Sequence, residues 1–436
     1  GVDIVTTGQA VVYYETKADN GYDTVGNVPA ATHRNSSDGL FDQNTAAASY
    51  GIQLNLDADL KNGFTFGSQL SYLGTAGLEK NLVSATRQDV TAGPTGGSTG
   101  MNNISDEVAL TKIFIAKKVA NTTVKIGRQA LPKSLSPLAF SEDWNVLPNT
   151  FEAALIVNSD IPDTTIVGAY VGQSNGSAGS NFASFGDLKA VTGAGTVNVS
   201  STAYMLTVQN TSLPMTTVTA SYYDLAKVAT SLTLNAGTAN TLNTLTAPGT
   251  FAAGDVAATG TDIGATALWL DVAVADKSLP LGLKIGLQAG MISPDSTLNT
   301  TTPLGAVSMA DTTAFGIKVG LAPIEALTLC AAYTSVDGDD NKVNVAVKNT
   351  GTGVKTPLFT QMIYNQDAIA LDANTFMLKA AYNTGDYGTV IAQGTVTAAG
   401  KSNLMNASAA NGKDNDYTDL ELVYKVKVSG MDLMAA

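Results

Sequence analysis

The 436-residue chain is poor in two residue types that often carry chemistry, cysteine and histidine. Its one cysteine, Cys330, excludes an intrachain disulfide and a thiolate metal cluster. Its one histidine, His33, lies in the polar stretch "ATHRNSSDG", which is typical of a solvated loop. Neither a G-x-S-x-G motif nor a G-x-x-x-x-G-K-S/T phosphate-binding loop occurs. These absences predict a protein that is not an enzyme.

Charged residues and long apolar runs are scarce as well. Charged side chains make up 14% of the sequence, whereas about a quarter is usual in a soluble protein. The formal net charge of -13 excludes nucleic acid as a partner, because that recognition needs a basic surface. No apolar run reaches the roughly 18 residues that a transmembrane helix needs, so a membrane-spanning helix is excluded.

A regular alternation of apolar and polar residues is present throughout. In "SYGIQLNLDADLKNGFTFGSQLSY" (49–72), apolar residues alternate with polar ones on both sides of Asn62-Gly63, which is a strong hairpin-turn pair. The same period predicts about seventeen strands along the chain. The predicted ranges are 8–16, 48–60, 63–73, 107–117, 122–130, 149–158, 163–173, 200–210, 214–225, 262–276, 280–292, 312–322, 326–335, 373–383, 386–398, 416–427 and 430–436.

The connections between these strands alternate between short and long. Short ones such as "KVAN" (118–121) and "APIE" (322–325) are followed by long segments rich in Gly, Ser, Thr and Asn, such as 226–261. This asymmetry is typical of an outer-membrane barrel with short periplasmic turns and long extracellular loops. The sequence therefore predicts an all-β fold, a single transmembrane antiparallel β-barrel domain over residues 1–436.

In such a barrel the apolar face of each strand contacts lipid and the polar face lines a water-filled lumen. We expect the lipid-facing set to include Leu54, Leu283, Ile285, Ile317, Val319 and Leu378. We expect the water-lining set to include Gln53, Asn55, Gln69, Gln288 and Thr328. Aromatic residues at strand ends, namely Tyr50, Phe64, Tyr72, Tyr333 and Tyr382, are predicted at the two membrane interfaces.

Both ends of the sequence suggest processing or omission. Bacterial single-chain barrels have an even number of strands, about 18 here, and the seventeenth, "GMDLMAA", is barely started. We therefore expect a further C-terminal strand that this sequence does not contain. The chain begins with Gly1, which suits a mature protein after removal of a signal peptide.

The third long connection, residues 131–148, is the predicted constriction loop. Pro132, Pro137 and Pro148 stiffen it, and an apolar set of Leu135, Leu138 and Phe140 could fix it to the barrel wall. An alternative is a loop that caps the outside. The residues predicted at the constriction are Arg128, Lys133, Glu142, Asp143 and Glu152.

Further charges are assigned to the lumen by strand alternation. They are Asp57, Asp59, Lys125, Lys284, Lys318, Lys379, Asp419 and Glu421. We expect the lysines in the periplasmic half, below the outer-half acids Glu152, Asp419 and Glu421, with a modest cation preference. Asp57 and Asp59 are expected to lie low in the barrel. An alternative is that each lysine pairs with a nearby carboxylate. Weak metal-ligand candidates are Glu142, Asp143, Asp337 and Asp339, although "DGDDN" (337–341) lacks the remaining residues of a calcium loop.

One stretch resembles a known family. "VKIGRQALPKSLSPLAFSEDWNVLPNTFEAALIVNSDIPDTTIVGAYVG" (124–172) and "KTPLFTQM" (355–362) are similar to parts of the Campylobacter-type major outer membrane porins of epsilonproteobacteria, a branch of the OprD-like channels. The resemblance implies a homotrimeric general-diffusion channel in the outer membrane, in contact with lipid and lipopolysaccharide. It also implies cation preference and a calcium ion in the pore.

These observations predict an outer-membrane porin that passes ions and small hydrophilic solutes. The alternative from another class is a secreted or surface-layer all-β adhesin, which would use its Thr- and Gly-rich loops for contact. A barrel enzyme comes third, with paired acids such as Asp57 and Asp59 as its carboxylates.

Overall fold

Antiparallel strands make up most of the residues that the computed structural model describes. It describes residues 2–16, 46–74, 107–142, 146–177, 182–192, 195–198, 202–230, 262–295, 309–339, 342–405, 415–428 and 431–435. His33 and Asp143 lie outside these described residues. Among the described helices, none has the length and apolar character that crossing a bilayer requires.

The first half of the described chain contains strands β1 (Asp3–Thr16), β2 (Ala46–Lys61), β3 (Phe64–Gly74), β4 (Glu107–Val119), β5 (Thr122–Gln129), β6 (Phe151–Asn158), β7 (Thr164–Ser174), β8 (Gly186–Asp187), β9 (Lys189–Thr192), β10 (Gly195–Asn198) and β11 (Ala203–Asn210). The second half contains β12 (Thr216–Thr230), β13 (Asp262–Ala275), β14 (Lys284–Pro294), β15 (Met309–Ala310), β16 (Thr312–Ile324), β17 (Leu327–Asp337), β18 (Val343–Asn344), β19 (Ala373–Asn383), β20 (Thr389–Ala399), β21 (Asn415–Val428) and β22 (Met431–Ala435). The helices are α1 (Gln366–Ile369) and three 3-10 turns, Asn175–Ser177, Pro280–Gly282 and Gly385–Tyr387.

The chain divides into two compact units. The first unit comprises Gly1–Asp160, Val167–Leu188 and Thr350–Thr352, and the second comprises Ile161–Ile166, Lys189–Asn349 and Gly353–Ala436. In the first unit, β1 to β6 pair antiparallel in chain order. In the second unit, the long strands from β11 to β22 do the same. The single-domain assignment stays a prediction.

Each long strand coincides with a strand that the sequence predicts, although the boundaries differ. The first strand begins at Asp3, five residues before the predicted start. The short strands β8, β9, β10, β15 and β18 and helix α1 were not predicted, because elements of two to four residues carry no measurable period. They lie in the long connections, which the sequence indicates only as polar loops.

The two faces of the strands differ in chemistry, as predicted. One face, here called the apolar face, exposes Leu54 (50%), Ile317 (38%) and Leu378 (57%). Leu283, Ile285 and Val319, which were predicted with them, are half-buried. This face carries apolar side chains in both units.

The opposite face, here called the polar face, is partly covered. Thr328 is exposed and Asn55 is half-buried there, whereas Gln53, Gln69 and Gln288 are 7%, 4% and 4% exposed. The prediction that all five line water is therefore wrong for the three glutamines. Gln53 donates to the Gln69 side chain (3.4 Å) and Gln69 donates to Asn55 (2.8 Å), so neighbouring side chains satisfy their polar groups.

The Asn62-Gly63 hairpin forms as predicted, with Gly63 in the left-handed region at φ 78°. A Cβ atom at Gly63 would lie 2.4 Å from the Lys118 carbonyl oxygen. The Lys118 amide in turn donates to the Gly63 carbonyl (2.8 Å), so this turn and the next one contact each other. Only glycine fits such a position without a shift of the backbone.

We expect Gly63→Ala to lower the free energy of unfolding by about 2–3 kcal/mol, since it adds backbone strain and a collision with Lys118. Gly385→Ala is the matched control: Gly385 also has a positive φ, 74°, but apart from its chain neighbours no atom lies within 4 Å of the place that a Cβ would take. Denaturant midpoints in detergent measure both. Equal losses for the two variants would contradict the packing explanation.

Candidate functional site

Two segments, one in each unit, fold onto the polar face of their own unit and form the candidate functional regions. The first, here called the early loop, comprises residues 131–148. Leu131 and Ser141 close its base, because the Ser141 amide donates to the Leu131 carbonyl (2.9 Å) and the Leu131 amide donates to the Ser141 hydroxyl (3.1 Å). The amides of Leu135 and Ser136 both donate to Pro132 (3.1 and 3.0 Å), which gives the loop a tight internal turn.

Apolar side chains hold the early loop against the strands of the first unit. Leu138 and Phe140 are 2% and 4% exposed, whereas Leu135 is half-buried. Val146 and Leu147, which sequence reasoning did not single out, pack in a cluster with Leu73, Ala109 and Phe182. Gly51 makes room for them, because a Cβ there would lie 2.9 Å from both Val146 and Leu147.

A second contact on the early loop comes from a distant tripeptide, Thr350–Thr352. The amide and the hydroxyl of Thr350 both donate to the Leu138 carbonyl, each at 2.8 Å. A Cβ at Gly351 would lie 2.4 Å from the ring of Phe151, so glycine is needed there. This contact joins positions about 210 residues apart, and no local sequence signal predicts it.

Glu142 is one of the two predicted constriction acids that lie within the described residues. Its side chain is 3% exposed and accepts a hydrogen bond from the Thr352 hydroxyl, while its amide donates to the Asn149 side chain (2.8 Å). Glu142 therefore holds the loop internally and is not a solvent-facing wall charge. Lys133 is exposed, and its amine lies 5.4 Å from the centroid of the Phe140 ring.

The predicted assignment of Arg128 and Glu152 to the constriction is wrong. They are cross-strand partners and form an ion pair of 3.0 Å. Arg128 lies two residues from Ile126, which is 55% exposed, and opposite Ile113. Because side chains two apart in a strand share a face, the pair lies on the apolar face. The guanidinium also donates to the Leu110 carbonyl (3.0 Å) and its carbon lies 4.1 Å from the Phe185 ring centroid.

A β-bulge places one unpredicted lysine on the polar face of the first unit. Gln69 pairs with Lys112 and Leu70 with Leu110, so Thr111 is an extra residue on β4. The bulge shifts the alternation by one position, and Thr111 and Lys112 both lie on the polar face. Simple alternation cannot anticipate this shift.

Of the predicted lumen charges in the first unit, Asp57 and Asp59 are exposed and Lys125 is half-buried. The Lys125 amine lies 3.7 Å from the centroid of the Phe114 ring, a cation–π contact. Asp59 lies 3.8 Å from the Lys61 amine.

The second segment, here called the late loop, comprises residues 353–372 and packs within the second unit. Gln288 donates to the Pro357 carbonyl and accepts from the Phe359 amide, both at 3.0 Å. The hydroxyls of Thr334 and Thr360 lie 2.6 Å apart. The predicted water-lining residue Gln288 thus serves as a docking point for the loop.

Phe359 occupies a recess in the wall formed by two glycines. A Cβ at Gly286 would lie 2.8 Å from the Phe359 ring, and one at Gly316 would lie 3.4 Å from it. The Lys318 amine lies 4.4 Å from the centroid of the same ring. Lys318 is therefore a predicted lumen charge that contacts the late loop.

Two charged residues bind the next part of the late loop. The Glu421 carboxylate accepts from the amides of Ile363 (2.9 Å) and Tyr364 (3.0 Å) and from the Gln393 side chain (2.5 Å). The Lys355 amine donates to the Ile363 carbonyl and to Met362 (3.4 Å), and Lys355 is 6% exposed. Sequence reasoning predicted Glu421 as a lumen charge but missed Lys355, which lies in the quoted stretch "KTPLFTQM".

For Lys379 and Glu421, the strand register contradicts the prediction that basic charges lie in the periplasmic half and acidic charges in the outer half. Lys379 pairs with Gln393, and Gln393 pairs with Glu421. Strands lie about 4.8 Å apart, so Lys379 and Glu421 occupy one cross-strand row roughly 10 Å apart. The two charges therefore lie side by side on this wall. Asp419 is half-buried and accepts from Thr395 (3.5 Å).

The alternative that each lysine pairs with a carboxylate is not what the described residues show. No described carboxylate lies within 4.0 Å of the amines of Lys125, Lys284, Lys318 or Lys379. Lys284 is exposed at the start of β14. These four amines are consequently free of close ion pairs within the described part of the chain.

The calcium candidates do not come together in the part of the chain that the structure describes. Asp337 is exposed, and Asp339 forms an ion pair of 3.3 Å with Lys342. Within the described ranges there is no group of three or more His, Cys, Asp or Glu side chains that could hold a metal. Asp143, the fourth candidate, lies outside the described residues, so a calcium site stays a prediction.

Two groups outside the long strands have shifted pKa values. Burial lowers the pKa of the Lys189 amine on β9. Hydrogen bonds from the Ser278 side chain and amide lower the pKa of Asp276 in the turn before β14. The Lys189 side chain lies next to Gly353, where the late loop begins.

The proteins found to be similar to this chain are solved structures. No family model matches the chain, and no curated protein matches it. The crystal structure of OccK8 (OprE) of Pseudomonas aeruginosa matches with a TM-score of 0.64 and 14% identity, covering 98% of this chain and 89% of that one. OccAB3 of Acinetobacter baumannii matches with a TM-score of 0.64 and 10% identity, covering 98% and 89%. A BenF-like porin from Pseudomonas fluorescens Pf-5 matches with a TM-score of 0.61 and 12% identity, covering 99% and 91%.

What is shared is the fold. At identities of 10–14%, these likenesses confirm the predicted fold class, an antiparallel β-barrel, and carry nothing further by themselves. The seventeen long strands in the described part of the chain and their apolar–polar alternation agree with that class.

The contact between Thr352 and Glu142 generates a prediction about the early loop. Thr352→Val keeps the side-chain shape but removes a hydroxyl that donates to a buried carboxylate, so we expect a loss of about 1–3 kcal/mol in unfolding free energy. Thr350→Val is the matched control, because the Thr350 amide still donates to Leu138 after its hydroxyl is lost. Unfolding midpoints and proteolysis of the early loop measure both. A larger loss for Thr350→Val would contradict the role given to Glu142.

Proposed function

We propose that this chain is a bacterial outer-membrane porin, a passive diffusion channel for ions and small hydrophilic solutes. The observation that carries the proposal is the exposure of large apolar side chains along the strands. Ile126, Leu378 and Leu420 are 55%, 57% and 83% exposed. In water such extended apolar exposure is unfavourable. Against lipid it is stabilising, provided that the strands satisfy their backbone hydrogen bonds with each other.

The chemistry of the polar face also supports the porin proposal. Glutamine, threonine and charged side chains lie along it, and both loops pack onto it with their own polar groups satisfied. A wall of this kind suits a wet passage whose width is set by the loops. The early loop, 131–148, is proposed as one constriction and the late loop as another.

The finer assignments rest on the family resemblance of residues 124–172 and 355–362. They are a Campylobacter-type general-diffusion porin, a homotrimer, and contact with outer-membrane lipid and lipopolysaccharide. The likeness to the BenF-like porin supports a channel, whereas the trimer rests on the resemblance alone. A calcium ion in the pore likewise rests on the resemblance alone.

A weak cation preference is proposed from the net charge of -13. The four amines without close ion pairs act against it, so the preference should be modest. Low-dielectric walls focus the field of such charges into the passage. Because the Debye length is about 10 Å at 0.1 M salt, the preference should weaken as salt rises.

Conductance in planar bilayers tests the proposed function. We expect the purified protein to give stepwise openings and, under a KCl gradient, a reversal potential of the sign for cations. A detergent-free soluble monomer without openings would favour the surface adhesin instead. A reversal potential of the sign for anions would agree with a channel but would contradict the cation preference that is proposed from the net charge.

Arginine substitutions on neighbouring residues test which face meets lipid. Leu54→Arg should cost about 2–4 kcal/mol and impair assembly, because an unpaired arginine on the lipid face near the midplane is destabilising by that amount. Asn55→Arg, on the polar face, should assemble normally. Asn55 is a better control than Gln53, since Gln53 is buried. Outer-membrane yield and heat-dependent gel mobility measure assembly, and equal behaviour of the two variants would contradict the face assignment.

A further inference from the structure

We infer that Glu421 and Lys355 are positioning residues that together hold one stretch of the late loop, Met362–Tyr364. The carboxylate binds its amides and the ammonium binds its carbonyls, and this pair is here called the clamp. The clamp holds the late loop against the wall of the second unit and over Cys330. Its effect on solute passage rests on the proposed function, whereas its effect on the loop does not.

The carboxylate half of the clamp acts on backbone amides. Glu421 lies on β21 and accepts from the amides of Ile363 and Tyr364 at 2.9 and 3.0 Å. A third donor, the Gln393 side chain, lies at 2.5 Å and fixes the carboxylate from the neighbouring strand. Hydrogen bonds to an ionised acceptor are about twice as strong as neutral ones. The charge of Glu421 is therefore directed at the loop.

The ammonium half acts on the carbonyls of the same peptide. Lys355 donates to the carbonyl of Ile363, to that of Met362 (3.4 Å) and to the Gln366 side chain (3.3 Å). The lysine is 6% exposed, and a buried ammonium needs such oxygen partners to offset its desolvation. Ile363 is thus held at its amide by the carboxylate and at its carbonyl by the ammonium.

Other contacts hold neighbouring parts of the late loop: Lys348 pairs with Asp367, and the Lys318 amine lies over the Phe359 ring. Gln288 and Thr334 offer neutral hydrogen bonds to Pro357, Phe359 and Thr360. The charge-assisted hydrogen bonds that Glu421 accepts from the loop come from the amides of Ile363 and Tyr364. Loss of Glu421 should consequently release this part of the loop, beyond any change in wall charge.

Cys330 provides a reporter of loop position. It is half-buried on β17 and packs with Phe359 against a cluster that contains Met362 and Met377. It is the one cysteine of the chain, so a thiol reagent has a single target. Because a thiol must be uncovered to react, its labelling rate follows how often the loop leaves the wall.

The experiment compares labelling of Cys330 by a small methanethiosulfonate reagent in the folded, detergent-solubilised protein. We expect Glu421→Ala and Lys355→Met each to raise the rate about tenfold, the scale of a lost charge-assisted hydrogen bond. The double variant should be little faster than either single one, because both residues hold the same peptide. Asp419→Ala is the matched control: it removes the same charge from the same face of β21, two residues away, and should label at the parent rate.

Heat-dependent gel mobility confirms that each variant is folded. Glu421→Gln, which keeps one acceptor oxygen, should give a smaller increase and replaces the alanine variant if that one fails to fold. A parent-like rate for folded Glu421→Gln and Lys355→Met, or an equal increase for Asp419→Ala, would overturn the clamp.

Single-channel recordings separate this inference from the porin proposal. Glu421→Ala should add current fluctuations that Asp419→Ala lacks. If the parent forms no channel while Cys330 labelling responds as expected, the porin proposal fails and the clamp stands. If the channel forms and neither recording nor labelling responds to Glu421→Ala, the clamp fails and the porin proposal stands.

Discussion

Antiparallel backbone pairing combined with a side-chain period of two is the constraint on which the rest of this structure depends. Once β2 pairs with β1 and β3, Leu54 and Gln53 must lie on opposite faces. Because every backbone group of a paired strand is satisfied by its neighbours, the outward side chains can be apolar throughout. The exposed apolar face is thus a consequence of the pairing, and so is the proposed contact with lipid.

Several strand side chains on the polar face bind the loops that pack against it. Gln288 and Glu421 offer hydrogen-bonding groups to loop backbone, and Gly51, Gly286 and Gly316 leave space for loop side chains. Charges that the sequence assigns to the lumen or to the constriction divide into two groups for this reason. Glu421 and Glu142 hold loops, whereas Lys284 and Asp57 remain exposed along the wall. Only the second group can act directly on passing ions.

Sequence reasoning failed in two ways, at a departure from the alternation and at residues whose face was assigned wrongly. The bulge at Thr111 puts Lys112 on the polar face. Arg128 and Glu152 follow the alternation strictly, and the register places them on the apolar face, contrary to their assignment to the constriction. The buried Phe151 faces the loop, so its neighbour must face away. The strands, their order, the Asn62-Gly63 turn and the packing residues Leu138 and Phe140 were predictable, because each is encoded within a few neighbouring residues.

The sequence by itself determined the fold class, the long strands and the chemistry of their two faces, since a period of two is a local property of the chain. The tertiary structure decided which side chains of the polar face remain exposed and which hold loops. Thr352 meets Glu142 across about 210 residues, and Ile363 meets Glu421 across 58. Strand pairing determines where the ends of the long connections lie, and therefore which of these contacts form. The sequence of the connections has no periodic pattern that predicts those positions.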